Sequence, residues 1–130
     1  MQLTIDEALN LAVGKHKEGD LEEAKNLYAA ILAAIPLHPD ANHNIGLLAL
    51  SVNKADAALP FLKTALGANL KIPQFWLSYI NALMLDKQFE NAKQVLDQAK
   101  QQGVLGIAYD EFNERLASIF SLADKYSVAD

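Results

Sequence analysis

Three side chains recur at one fixed spacing and carry recognition chemistry: Asn10, Asn44 and Ser78 follow one another at intervals of 34 residues. An amide donates and accepts hydrogen bonds at once, and a hydroxyl does the same, so such a series suits the backbone of an extended peptide. Catalytic constellations fail the same test. His16, His38 and His43 are the only imidazoles, and none stands four residues from another, the spacing that a helical zinc site requires. Ser51, Ser78, Ser118 and Ser121 fall in helical sequence without a strand-to-helix elbow, and there is no glycine-rich phosphate loop. The chain has no cysteine, which removes thiolate metal sites, disulfides and a cysteine nucleophile together. The acid pairs Asp6-Glu7, Glu22-Glu23 and Asp110-Glu111 fall at expected helix starts, where negative charge meets the positive end of the helix dipole. The expectation is a chain without catalytic residue, metal or cofactor.

The elements that position the recurring residues follow from the same period. Gly19-Asp20-Leu21-Glu22-Glu23-Ala24 aligns with Asn53-Lys54-Ala55-Asp56-Ala57-Ala58 and with Lys87-Gln88-Phe89-Glu90-Asn91-Ala92, each step being 34 residues. In the same register Tyr28, Leu62 and Leu96 recur, as do Ile31, Ala65 and Ala99. A fixed period of this length marks stacked supersecondary units rather than independent elements. Apolar periodicity and caps predict helices over 4–17, 21–34, 40–52, 55–67, 73–86, 89–102 and 106–125. Thr4 with Glu7, and Asp20 with Glu23, read as capping boxes. Pro39 and Pro73 suit first turns, and Pro60 predicts a bend inside the fourth helix. Gly19, Asn53 and Lys87 hold the tight turn inside each unit, where lysine is the least suited of the three. His38, just before Pro39, is expected to be exposed.

A 34-residue helical period with Trp76 in one unit, Ile45-Gly46 in another and Pro36 closing the first resembles the tetratricopeptide repeat. The resemblance implies an all-α, right-handed α-solenoid. Its three helix-turn-helix repeats cover about 5–38, 39–72 and 73–104, and a capping helix follows at about 106–125, in one domain over residues 1–130. It also implies that the first helices line a concave groove and that Trp76 packs between helices. The groove residues it points to are Asn10, Val13, His43, Asn44, Leu47, Ser78 and Asn81, with Leu9, His16, Leu50, Leu77 and Met84 beside them. That lining is mainly apolar and lacks the lysines and arginines with which some family members clamp acidic chain ends. The expected occupant is therefore an apolar or amphipathic segment of a protein or peptide. The segment Asn42-His43-Asn44-Ile45-Gly46-Leu47-Leu48-Ala49 and the Asn ladder are similar also to repeat arrays attached to bacterial glycosyltransferases, which implies a second reading, the substrate-recognition arm of a larger enzyme.

The last helix shows Tyr109, Phe112, Leu116, Ile119, Phe120 and Ala123 on one broad face. A repeat stack needs a cap with one polar face, and Glu111, Glu114, Arg115 and Lys125 supply it. The third reading is self-assembly into a homo-oligomer through Phe112, Leu116 and Ile119. A net charge of -5 speaks against nucleic acid and anionic lipid as partners. The longest strongly apolar run, Ile45 to Leu50, is far short of a membrane span, and the start Met1-Gln2-Leu3-Thr4 has no export-signal pattern, so the expected location is the cytoplasm.

Overall fold

The computed structural model describes residues 2–126; residues 1 and 127–130, the two ends of the expected domain, lie outside the described residues. Seven helices follow in order: α1 (Ile5–Lys17), α2 (Leu21–Ala34), α3 (Pro39–Ser51), α4 (Ala55–Ala68), α5 (Pro73–Leu85), α6 (Phe89–Gln102) and α7 (Ile107–Lys125). Every boundary falls within one residue of its expected place.

Local chemistry sets these ends. The Glu7 N–H donates to Thr4 Oγ1 at 3.1 Å and the Thr4 N–H donates to Glu7 Oε1 at 3.0 Å, a complete capping box. Asp20 accepts from the Glu23 N–H at 3.3 Å, so the second expected box is present in its N-cap half. Pro39 and Pro73 open α3 and α5. His38 is not the exposed turn residue that was expected. It is half-buried, and its Nδ1 accepts from the Ala41 N–H at 3.1 Å, which caps α3. α4 runs unbroken through Pro60, whose carbonyl accepts from Thr64 Oγ1 at 2.9 Å.

The turn within each helix pair uses one left-handed residue at the same register: Gly19 at φ 85°, Asn53 at φ 61° and Lys87 at φ 61°. Only lysine pays the full steric cost of that conformation, about 1 kcal/mol. Replacing Lys87 with glycine removes the clash and returns part of the gain as unfolded-state entropy. Lys87→Gly is expected to stabilise the fold by about 0.5–1 kcal/mol, read as a melting temperature higher by about 3 °C. A lower melting temperature would show that the Lys87 side chain supplies something the turn needs.

Each helix packs on its successor, and the first helices of the pairs also meet directly, α1 with α3 and α3 with α5. They therefore share one face of the stack. The 34-residue register is the register of burial: Ala24, Ala58 and Ala92 are wholly inaccessible, as are Leu62 and Leu96. Among the glycines, Gly46 alone faces a neighbouring side chain at close range. A Cβ built there would lie 2.5 Å from Leu62 Cδ2 and 2.7 Å from Leu62 Cγ, so α3 and α4 touch with no room for a methyl group. Trp76 is buried as expected, and its Nε1 donates to the Leu70 carbonyl at 2.8 Å. The largest core cluster joins α4, α5, α6 and α7.

α7 belongs to that core. Leu116, expected on a self-association face, is 2% exposed and sits among Ile80, Leu83, Leu96 and the rest of the cluster, with Phe112 and Ile119 packed half-buried against it. The apolar face of α7 thus covers the last helix pair, with Leu116 at its centre. Of the three residues Leu116 is closed to a second copy, while Phe112 and Ile119 keep part of their surface.

Candidate functional site

The helices α3, α5 and α7 form the walls of an open hollow. Leu47 and Leu50 from α3, Leu77 and Asn81 from α5, and Ala108 and Phe112 from α7 line it, with Gln74, Ser78 and Glu111 completing the wall; its volume is about 350 Å³. Leu47 is half-buried and lies outside every core cluster, so its side chain is committed to the hollow more than to packing. Leu77 and Phe112 serve both purposes, since they also pack against the main core.

Under the hollow lies a polar clasp between α3 and α5. His43 Nε2 and Ser78 Oγ are hydrogen bonded at 2.8 Å, and the Gln74 side chain donates to the same hydroxyl at 3.3 Å. The His43 ring leans on Phe75, with centroids 4.9 Å apart and planes tilted by 40°. Burial lowers the His43 pKa, while the Asn44 side chain and the Asp40 carboxylate pull it the other way. The neutral imidazole is the favoured form, and with its proton on Nδ1 the Ser78 hydroxyl donates to Nε2.

This geometry corrects the expected site. His43 is 7% exposed and Ser78 4%, so His43 holds the groove floor rather than facing a ligand, and Ser78 meets the hollow only at its wall. Asn10 is exposed, Asn44 is half-buried and Ser78 is buried, so the ladder of equivalent polar groups does not form. The reason is that equivalent positions have unequal neighbours: Ser78 is covered by Gln74 and by the α3 imidazole, whereas Asn10 stands at the open end of the stack. Leu47 and Asn81 line the hollow; Asn10, Val13 and Asn44 are outside it.

The contribution of α7 was missed, although the sequence carried its signal. Ala108, Glu111 and Phe112 stand 34 residues after Gln74, Leu77 and Ser78. Continuing the period one step further would have placed α7 as the first helix of a further, incomplete unit. Glu111, expected on the polar outer face, lies on the hollow for the same reason.

No protein-family model and no curated protein sequence matches the chain. Among solved structures it is similar to the Sgt2 TPR domain of Aspergillus fumigatus, with a TM-score of 0.80 at 15% identity over 97% of this chain and 85% of that one. The fold is that of a tetratricopeptide-repeat solenoid. A second TPR-type likeness is the Yersinia enterocolitica type III secretion chaperone SycD in complex with a peptide of the translocator YopD, with a TM-score of 0.73 at 16% identity over 98% and 97% of the two chains. Pseudomonas aeruginosa PilF gives a TM-score of 0.73 at 21% identity over 93% of this chain, which spans 55% of the length of that protein. At these identities the TPR likeness concerns the fold. Among the described residues no helix is long and apolar enough to cross a membrane, and no three metal-ligating side chains gather.

Proposed function

We propose that this chain is a non-catalytic interaction module that holds an apolar or amphipathic segment of a partner protein in the hollow between α3, α5 and α7. The observation that carries the reading is the lining itself: Leu47, Leu50, Leu77 and Phe112 present apolar side chains around Asn81, beside a buried, hydrogen-bonded floor. Apolar anchors ringed by a few placed polar groups are the composition of a peptide groove. The SycD structure, which holds a YopD peptide on a similar fold, supports the reading.

The test is selection of binders from a displayed library of helical and extended peptides, followed by titration against variants. Leu47→Glu is expected to weaken the selected peptides tenfold or more, the scale of losing one anchor, with helix content unchanged because Leu47 lies outside the core clusters. Peptides that bind Leu47→Glu and Asn81→Lys as tightly as the parent would place recognition elsewhere on the molecule.

A further inference from the structure

A second cavity shares no residue with the hollow. The helices α4 and α6 both pack on α5 and leave between them a crevice of about 480 Å³, within the range of small-molecule sites. Leu66, Trp76 and Val95 give it an apolar floor, and Lys63, Gln94 and Gln98 stand on its walls.

Repetition in the chain supplies an internal comparison. Thirty-four residues earlier, at the junction of α2, α3 and α4, the wall positions hold Ala29, Pro60 and Thr64, and Val95 is replaced by Phe61, which packs against the core there. The polar walls are therefore no requirement of the fold, and the two junctions distribute bulk differently: Val95 stands where the earlier one has Phe61, while Trp76 and Tyr79 stand where it has Asn42 and Ile45. The charge is also local. The chain has 16 acidic and 11 basic residues, yet no carboxylate lines the crevice, and Lys63 has none within ion-pair distance among the described residues. The Trp76 N–H is already spent on the Leu70 carbonyl and the Asn91 amide donates to Gln88, so polar recognition falls to Lys63, the two glutamines and the Tyr79 hydroxyl.

We propose that the crevice binds a small carboxylic acid with an aryl or branched alkyl body, its carboxylate on Lys63 and its body against Leu66, Trp76 and Val95. A lysine ammonium with amide donors beside it suits one carboxylate, and the floor removes apolar surface from water. This site is independent of the groove reading and stands or falls separately.

Calorimetric titration of the full chain with 4-phenylbutyrate and with 4-phenylbutyramide is the test. The acid is expected to bind at least tenfold more tightly than the amide, the scale of one charge-assisted contact. Lys63→Ala, an exposed position, is expected to erase that difference. Val95→Phe fills the floor with a ring and is expected to abolish binding, with helix content checked by circular dichroism. Equal affinity for acid and amide, unchanged binding in Val95→Phe, or no binding at millimolar concentration would overturn the proposal. N-acetyl-leucyl-phenylalanine separates the two sources of such a carboxylate. Weaker binding than the free acid is expected, and tenfold tighter binding would overturn the small-molecule assignment in favour of a polypeptide chain end.

Discussion

Gly46→Ala is expected to destabilise the chain by about 2–3 kcal/mol, an unusually large loss for adding one methyl group to a helix. Alanine is the better helix former by about 1 kcal/mol, so propensity alone predicts the opposite sign. Packing decides, because the new Cβ would lie 2.5 Å from Leu62 Cδ2 and 2.7 Å from its Cγ, and Leu62 is wholly buried, so the whole side chain must shift within the core. Equilibrium denaturation in urea reads the loss, and a double-mutant cycle shows its origin. In a Leu62→Ala background the cavity left by leucine accepts the methyl group, and Gly46→Ala becomes nearly neutral. A single-variant loss below about 0.5 kcal/mol would mean that α3 and α4 separate easily and that the close approach is not what holds the second repeat together.

The second large effect is tied to pH through His43. Its folded-state pKa lies below the unfolded value near 6.5 because burial disfavours the imidazolium, and the Asn44 and Asp40 contributions do not reverse that. The unfolded chain therefore binds more protons than the folded one over that interval. The stability linked to this group is complete above pH 6.5 and is lost as pH falls through that value toward the lower folded pKa. Denaturation midpoints measured from pH 8 to pH 5 are expected to decline on the acid side, and His43→Gln, which keeps a polar group for Ser78, is expected to flatten the part due to this residue. An unchanged slope in His43→Gln would assign the acid sensitivity to other groups. His43→Glu sets a carboxylate against Phe75 and the Ser78 hydroxyl in the core, and is expected to cost about 3 kcal/mol or more. It reports on folding and is unfit as a probe of the groove, for which Leu47→Glu serves.

The architecture was legible because the period is written in side-chain size. Small residues at 24, 58 and 92 and larger ones at 28, 62 and 96 can recur without slippage only if the same helix contacts recur, and the structure buries all six. The site was half legible. Leu47 and Asn81 lie where the register puts them, but the register says nothing about what covers a given residue. Ser78 shows the limit. It shares its repeat position with Asn10 and Asn44, yet it alone bonds an imidazole 35 residues back, a contact between different positions of neighbouring repeats. The apolar pair one repeat later, Leu77 with Phe112, has the same 35-residue offset and lines the hollow. Cross-repeat offsets of this kind, and not only the period itself, carry the information about the groove.

α7 keeps the repeat register on the side that meets the hollow and abandons it on the other. Where α3 has Gly46 for the close approach of its partner helix, α7 has Glu114, and where α5 has Trp76, α7 has Asp110; both acids are exposed. A stack held by neighbour contacts has no built-in length, since each unit leaves the same surface for the next. Here two carboxylates stand at the positions where a next helix would pack. A further helix could dock on α7 only by stripping their hydration, a cost that no methyl or methylene contact at those positions would offset. The last helix thus presents two unlike faces: one extends the wall of the hollow, and the other carries charge where the earlier first helices carry packing contacts.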